Sequence, residues 1–85
     1  TKDVPPFVLV DGHPAEARGV NTVGLARRGV DEQRRSQLKR AFRLLFRSPM
    51  GLKERLAAIE EQVPPSPERD EMLKFVAESE RGICR

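Results

Sequence analysis

Tryptophan and tyrosine are absent from this 85-residue chain, and its aromatic side chains are four phenylalanines. Proteins that read single-stranded nucleic acid stack bases on exposed rings. The four Phe stand mostly at core-like positions, so no obvious stacking platform exists, and no nucleic-acid partner is expected. Cysteine occurs once, at Cys84, which excludes an internal disulfide and fits a cytoplasmic protein. Histidine also occurs once. No serine or cysteine clearly pairs with His13, which reads as a turn residue with a satisfied ring nitrogen. No cluster has metal-ligand spacing, Met50 and Met72 read as packing residues, and neither a metal nor another cofactor is expected. No wholly apolar run, Phe7 to Val10 included, comes near the ~20 residues a membrane span needs. No signal-peptide pattern is present, and the chain opens on Thr1 without a Met, so it reads as a fragment whose upstream part is missing. A chain this short is one small domain at most, burying roughly 60–65% of its unfolded surface.

Positive charge is concentrated rather than abundant. The net charge is +3, yet residues 18–47 hold nine Lys/Arg against Asp31 and Glu32 alone. The flanking segments, residues 1–17 and 48–85, are each mildly acidic. A basic middle of this kind favours an anionic partner and speeds encounter with it.

Periodicity divides the chain in two. Val4 and Val10 stand six residues apart with Val8 between them, and a six-residue repeat opening on a small or branched apolar residue is the pattern of a left-handed parallel β-helix. Pro5-Pro6 suits extended structure without a central ladder position. Gly12-His13-Pro14 reads as a turn. The remainder reads as helices. A short one is expected over Val23 to Arg28. Asp31 caps the next, with Leu38, Ala41, Phe42 and Leu45 at helical spacing, and Ser48-Pro49 ends it. Leu52, Leu56, Ile59 and Val63 mark a third helix, broken by Pro64-Pro65. Ser66 and Pro67 are an N-cap and a first-turn proline for the last helix, whose stripe is Met72, Phe75 and Val76 and whose terminator is Gly82. The expected fold is mainly α: a small antiparallel helical bundle over residues 21–85, following a last β-helix coil and connecting turn over residues 1–20.

Two features carry chemistry. In Gly19-Val20-Asn21-Thr22-Val23-Gly24-Leu25-Ala26-Arg27-Arg28-Gly29, a short amide and two adjacent guanidiniums share one tight segment punctuated by glycines. Guanidiniums are planar forks that grip phosphate bidentately, and glycine lets backbone approach a ligand or take positive φ. These residue types suit a diphosphate with a polar appendage. The same residues equally describe a short helix capped by Asn21 and closed by Gly29, with both arginines in solvent. The second feature is a stripe at every fourth residue, Arg35, Lys39, Arg43 and Arg47, with Arg40 beside the apolar face. It is either a solvated helix face or a docking surface for an acidic partner.

The order of motifs strongly resembles the C-terminal third of the acyl-carrier-protein-dependent UDP-N-acetylglucosamine O-acyltransferases of lipid A synthesis. The resemblance rests on Val4-Pro5-Pro6-Phe7, on Gly19-Val20-Asn21 leading to Gly24-Leu25-Ala26-Arg27-Arg28, and on the closing Arg81-Gly82-Ile83-Cys84-Arg85, and it covers essentially the whole chain. It implies that Asn21 contacts the nucleotide sugar and that Arg27 and Arg28 lie against its UDP portion. If the stripe of Arg35, Lys39, Arg43 and Arg47 is a docking surface, the resemblance implies that its acidic partner is acyl-carrier protein. The family's glutamate two residues after the asparagine is replaced here by Val23, which opens the alternative of a 3-amino UDP-sugar acceptor. The family's catalytic histidine lies on an earlier β-helix coil, and His13 does not take its place, so no catalytic residue is expected within these residues. The family assembles as a homotrimer of β-helices. Rival readings are a basic helical module that binds nucleic acid, and a helical protein-interaction domain whose nucleotide site has decayed.

Overall fold

The computed structural model describes residues 4–12 and 14–79. His13 and the closing motif from Arg81 to Arg85 lie outside the described residues, as does the Gly82 terminator. Two strands and four helices follow in order: β1 (Val8–Asp11), β2 (Glu16–Val20), α1 (Thr22–Arg27), α2 (Glu32–Arg47), α3 (Leu52–Gln62) and α4 (Pro67–Glu78).

The strands depart from the expected parallel coil. β1 and β2 pair with each other, antiparallel, in the register Val8 to Val20, Leu9 to Gly19, Val10 to Ala17 and Asp11 to Glu16. The shift between Leu9 and Val10 leaves Arg18 as an extra residue on β2, a β-bulge that re-aims the strand. A parallel coil is paired with the coils above and below it, whereas a short turn such as Gly12 at φ +93° returns the chain on itself. Within the described residues Val4 and Val10 are 41% and 37% exposed. Ala17 instead anchors the hairpin, fully buried in the same core as the helices.

Helix boundaries follow local chemistry closely. α1 begins one residue before the expected Val23, because Asn21 takes the cap position with its side chain accepting from Gly24 N. At the other end Gly29 stands at φ +84°, Gly29 N donates to Ala26 O at 3.1 Å and Val30 N to Leu25 O at 3.0 Å. That pair of bonds is a Schellman motif, and its apolar contact is supplied by buried Leu25 and Val30. Asp31 then caps α2 immediately, accepting from Arg34 N at 2.8 Å. α2 stops at Ser48, whose extended ψ of 146° precedes Pro49. Ser66 Oγ caps α4 by accepting from Arg69 N at 3.1 Å, with Pro67 in the first turn.

α2 is the hub, about 24 Å long at 1.5 Å per residue, and it packs against β2, α1, α3 and α4. Its buried residues are Leu38, Ala41, Phe42, Leu45 and Phe46, with the Phe42 and Phe46 rings 4.8 Å apart between centroids. α3 differs from the sequence expectation. Ile59 and Val63 are buried, but Leu52 is 40% exposed and Leu56 only half-buried, and the inward face runs through Arg55, Ala58 and Ile59. In α4, Met72 and Val76 are buried and Phe75 is half-buried.

Candidate functional site

The short helix α1 is held at both ends, and that determines where its polar side chains point. Asn21 N donates to the carbonyl of Phe7 at 2.8 Å, which ties the Val-Pro-Pro-Phe segment to the start of α1. Asn21 Oδ1 accepts from Gly24 N at 3.0 Å. Its Nδ2 makes no hydrogen bond among the described residues, so one amide both caps the helix and keeps two donors for a ligand. Gly24 is what makes this geometry possible. A Cβ there would lie 2.7 Å from Asn21 Nδ2 and 3.0 Å from its Cγ. The Asn-x-x-Gly spacing thus has a local steric cause.

Arg27 and Arg28 occupy the last turn of α1 and its C-cap, where exposed carbonyls favour cations. Both are exposed. Adjacent helical residues diverge by about 100°, so the two do not leave the backbone in one direction. Arg28, seven residues after Asn21, returns to nearly the same side of the helix, about 10 Å further along the axis. Its guanidinium carbon lies 5.1 Å from the Phe7 ring centroid. Arg27 instead shares a side with Val23, which is 61% exposed, and makes no hydrogen bond or ion pair among the described residues. The structure brings Asn21, Gly24, Arg28 and Phe7 together, with Arg27 beside them. Phe7 entered the sequence reasoning as part of the Val4-Pro5-Pro6-Phe7 motif and not as a site residue.

The basic stripe on α2 divides in the same way. Arg35 Nη1 donates to Val30 O at 2.5 Å, and Arg47 Nη2 donates to Ala17 O at 3.0 Å with its guanidinium 5.3 Å from the Phe42 ring centroid. Both ends of the stripe are therefore engaged within the fold. Lys39 and Arg43 are exposed and unpaired among the described residues. Arg43 borders a shallow depression of about 470 Å³ with Arg40, Gln33 and Gln62, the last of which accepts from Arg40 Nη2 at 3.2 Å.

Two further charged residues, Glu68 and Arg55, are buried and structural, and carried no sequence signal of it. Arg34 grips Glu68 with both prongs, Nε to Oε1 at 2.9 Å and Nη2 to Oε2 at 2.7 Å, joining the first turns of α2 and α4. The hydrogen bonds to Glu68 hold the Arg34 guanidinium above its ordinary pKa, against a smaller desolvation effect. Arg55 is buried and donates from Nη1 to the carbonyl of Leu45, near the C-terminal end of α2. Among the described residues no group of three or more His, Cys, Asp or Glu is arranged to hold a metal ion, and no helix is long and apolar enough to cross a membrane.

Fold and site together define a helical module that presents an amide and two guanidiniums on one short, doubly capped helix, a donor set suited to a phosphate-bearing ligand. The chain belongs to the family described as UDP N-acetylglucosamine O-acyltransferase, Domain 2, whose pattern it matches over residues 3–84. It is 40% identical over 84 residues to the acyl-[acyl-carrier-protein]–UDP-N-acetylglucosamine O-acyltransferase of Thermodesulfovibrio yellowstonii, and 42% identical over 84 residues to that of Thiobacillus denitrificans. In each case 99% of this chain and 33% of the relative are covered. The crystal structure of a UDP-N-acetylglucosamine acyltransferase from Bacteroides fragilis superimposes with a TM-score of 0.96 at 34% identity, covering 100% of this chain and 33% of that one. The chain thus spans about a third of the length of the relatives it matches.

Proposed function

We propose that the protein to which this chain belongs transfers a 3-hydroxyacyl group from acyl-carrier protein to the 3-hydroxyl of UDP-N-acetylglucosamine, the first step of lipid A synthesis, in the cytoplasm. The observation that carries this reading is the family match along nearly the whole chain, joined by relatives of about 40% identity that bear that name. Residues 21–85 form the C-terminal helical domain, and residues 1–20 join it to a left-handed parallel β-helix through which the protein trimerises. The exposed apolar side chains of Val4, Leu9 and Val10 give that junction a surface to cover.

In this scheme the sugar hydroxyl attacks the thioester carbonyl, a histidine of the β-helix takes its proton, and the carrier thiol departs. Residues of this chain bind and orient. Asn21 offers Nδ2 donors to the nucleotide sugar while Arg27 and Arg28 hold the UDP portion, a contribution of positioning rather than proton transfer. Lys39 and Arg43 are the free cations of the carrier-protein surface, with Arg35 and Arg47 at its engaged ends. The test is acyl transfer by the full-length protein with and without Arg27→Ala and Arg28→Ala, offering UDP-N-acetylglucosamine and its 3-amino analogue in parallel. The expected result is a raised KM for the UDP-sugar with kcat little changed. Turnover with the amino sugar alone would make Val23 a specificity marker. Absence of turnover with either, in a folded protein, would overturn the assignment.

A further inference from the structure

Phe7 is the only non-glycine residue with positive φ, 67°, among the described residues. That region is sparsely populated for a bulky side chain and persists only where the surroundings over-determine it. Three contacts do so here. The Phe7 carbonyl accepts from Asn21 N at 2.8 Å, its side chain packs against the hydrophobic core, and its ring lies 5.1 Å from the Arg28 guanidinium carbon. The strained backbone therefore serves two residues of the nucleotide site at once, one through the main chain and one through the ring.

Resting on the UDP-site reading, we infer that Phe7 is a positioning residue for Arg28, and that the two arginines of the pair differ in kind. A guanidinium held over a ring engages its π face while its five N–H donors stay available to a ligand. Arg28 therefore meets a diphosphate already restricted in orientation, having lost part of its rotamer freedom on folding rather than on binding. Arg27 has no such support among the described residues and must be ordered by the ligand itself. Arg28 thus supplies the pre-set contact and Arg27 the adaptive one.

The experiment is a set of uridine diphosphate affinities measured on the full-length protein. Phe7→Leu keeps apolar bulk and removes the ring, and it is expected to weaken UDP binding about two- to fivefold, the range for an exposed cation–π contact. Phe7→Tyr retains the ring and should retain the affinity. In an Arg28→Ala background Phe7→Leu should cause no further loss, whereas in an Arg27→Ala background it should cause its full loss. An equal loss from Phe7→Leu in every background would overturn the inference, because the ring would then act through the fold and not through Arg28. No loss in any background would overturn it as well. Unchanged affinity for Arg28→Ala would instead overturn the nucleotide site on which the inference rests.

Discussion

A methyl group on Gly24 would sit 2.7 Å from Asn21 Nδ2, so Gly24→Ala must displace the Asn21 side chain. Losing the cap should cost about 1 kcal/mol. The roughly 0.5–1 kcal/mol gained by exchanging a helical glycine for alanine offsets that cost, so thermal or denaturant unfolding should show little net stabilisation from a substitution that otherwise favours a helix. Cap and ligand roles of Asn21 separate cleanly by substitution. Serine is an equally good N-cap but carries no amide, so Asn21→Ser should hold stability within about 0.5 kcal/mol of the parent while weakening UDP-sugar binding. Calorimetric titration alongside a melt tests this, and a Ser variant that binds the sugar normally would reduce Asn21 to a cap. The asparagine and glycine were legible in the sequence because capping is a rule of a few consecutive residues. Phe7 was not, because its strain and its contact with Arg28 exist only once the hairpin has returned the chain to α1.

Between elements, the Arg34–Glu68 fork fastens the start of α2 to the start of α4 across 34 positions of sequence. Glu68 is only 9% exposed, so its carboxylate depends on this partner. Arg34→Ala should lower the melting temperature more than the exposed Arg27→Ala does, and Arg34→Ala with Glu68→Ala should recover part of the loss by removing the stranded charge. A double-mutant cycle on thermal unfolding measures the coupling. An arginine is charged at every ordinary pH, and the bonds to Glu68 push Arg34 further the same way, so its side of the pair is lost only in strong alkali. Arg55 performs a similar service for the end of α2. Arg55→Leu leaves the Leu45 carbonyl without that donor and should cost about 1–3 kcal/mol, read from denaturant unfolding. Periodicity located α3 but not its inward face, since Leu52 and Leu56 marked a stripe that the helix turns partly to solvent in order to bury Arg55.

At the scale of the whole molecule, a single core joins hairpin and helices, from Ala17 through Leu25 and Leu45 to Ile59 and Met72. Leu45 is fully buried at its centre, and Leu45→Ala should cost about 2–5 kcal/mol, a large part of the roughly 5–15 kcal/mol that a small domain commands. The concentrated charge acts at longer range. Replacing Lys39 and Arg43 together by glutamate should slow association with an acidic carrier protein and flatten its dependence on ionic strength, while UDP affinity is retained. Stopped-flow association at several salt concentrations gives both readings. Equal salt dependence in parent and variant would remove these residues from the docking surface.

N-caps, helix-ending prolines and the apolar stripe of α2 are written within a few residues of where they act, and the sequence by itself determined them: Asn21, Asp31 and Ser66 open helices, and Pro49 and Pro64 lie beyond the ends of two. The family was legible for a related reason, because its motifs are short and spaced in order. Tertiary structure alone decided the rest. A six-residue apolar spacing does not state that its strand also pairs with its own return, as β1 does with β2 over residues 8–20. A run of arginines does not state which are free. The fold sets Arg34, Arg47 and Arg55 against a carboxylate or backbone carbonyls of other segments, Arg35 against the Val30 carbonyl just before its own helix, and leaves Lys39 and Arg43 to solvent, because the first three partners come within hydrogen-bond reach only on folding.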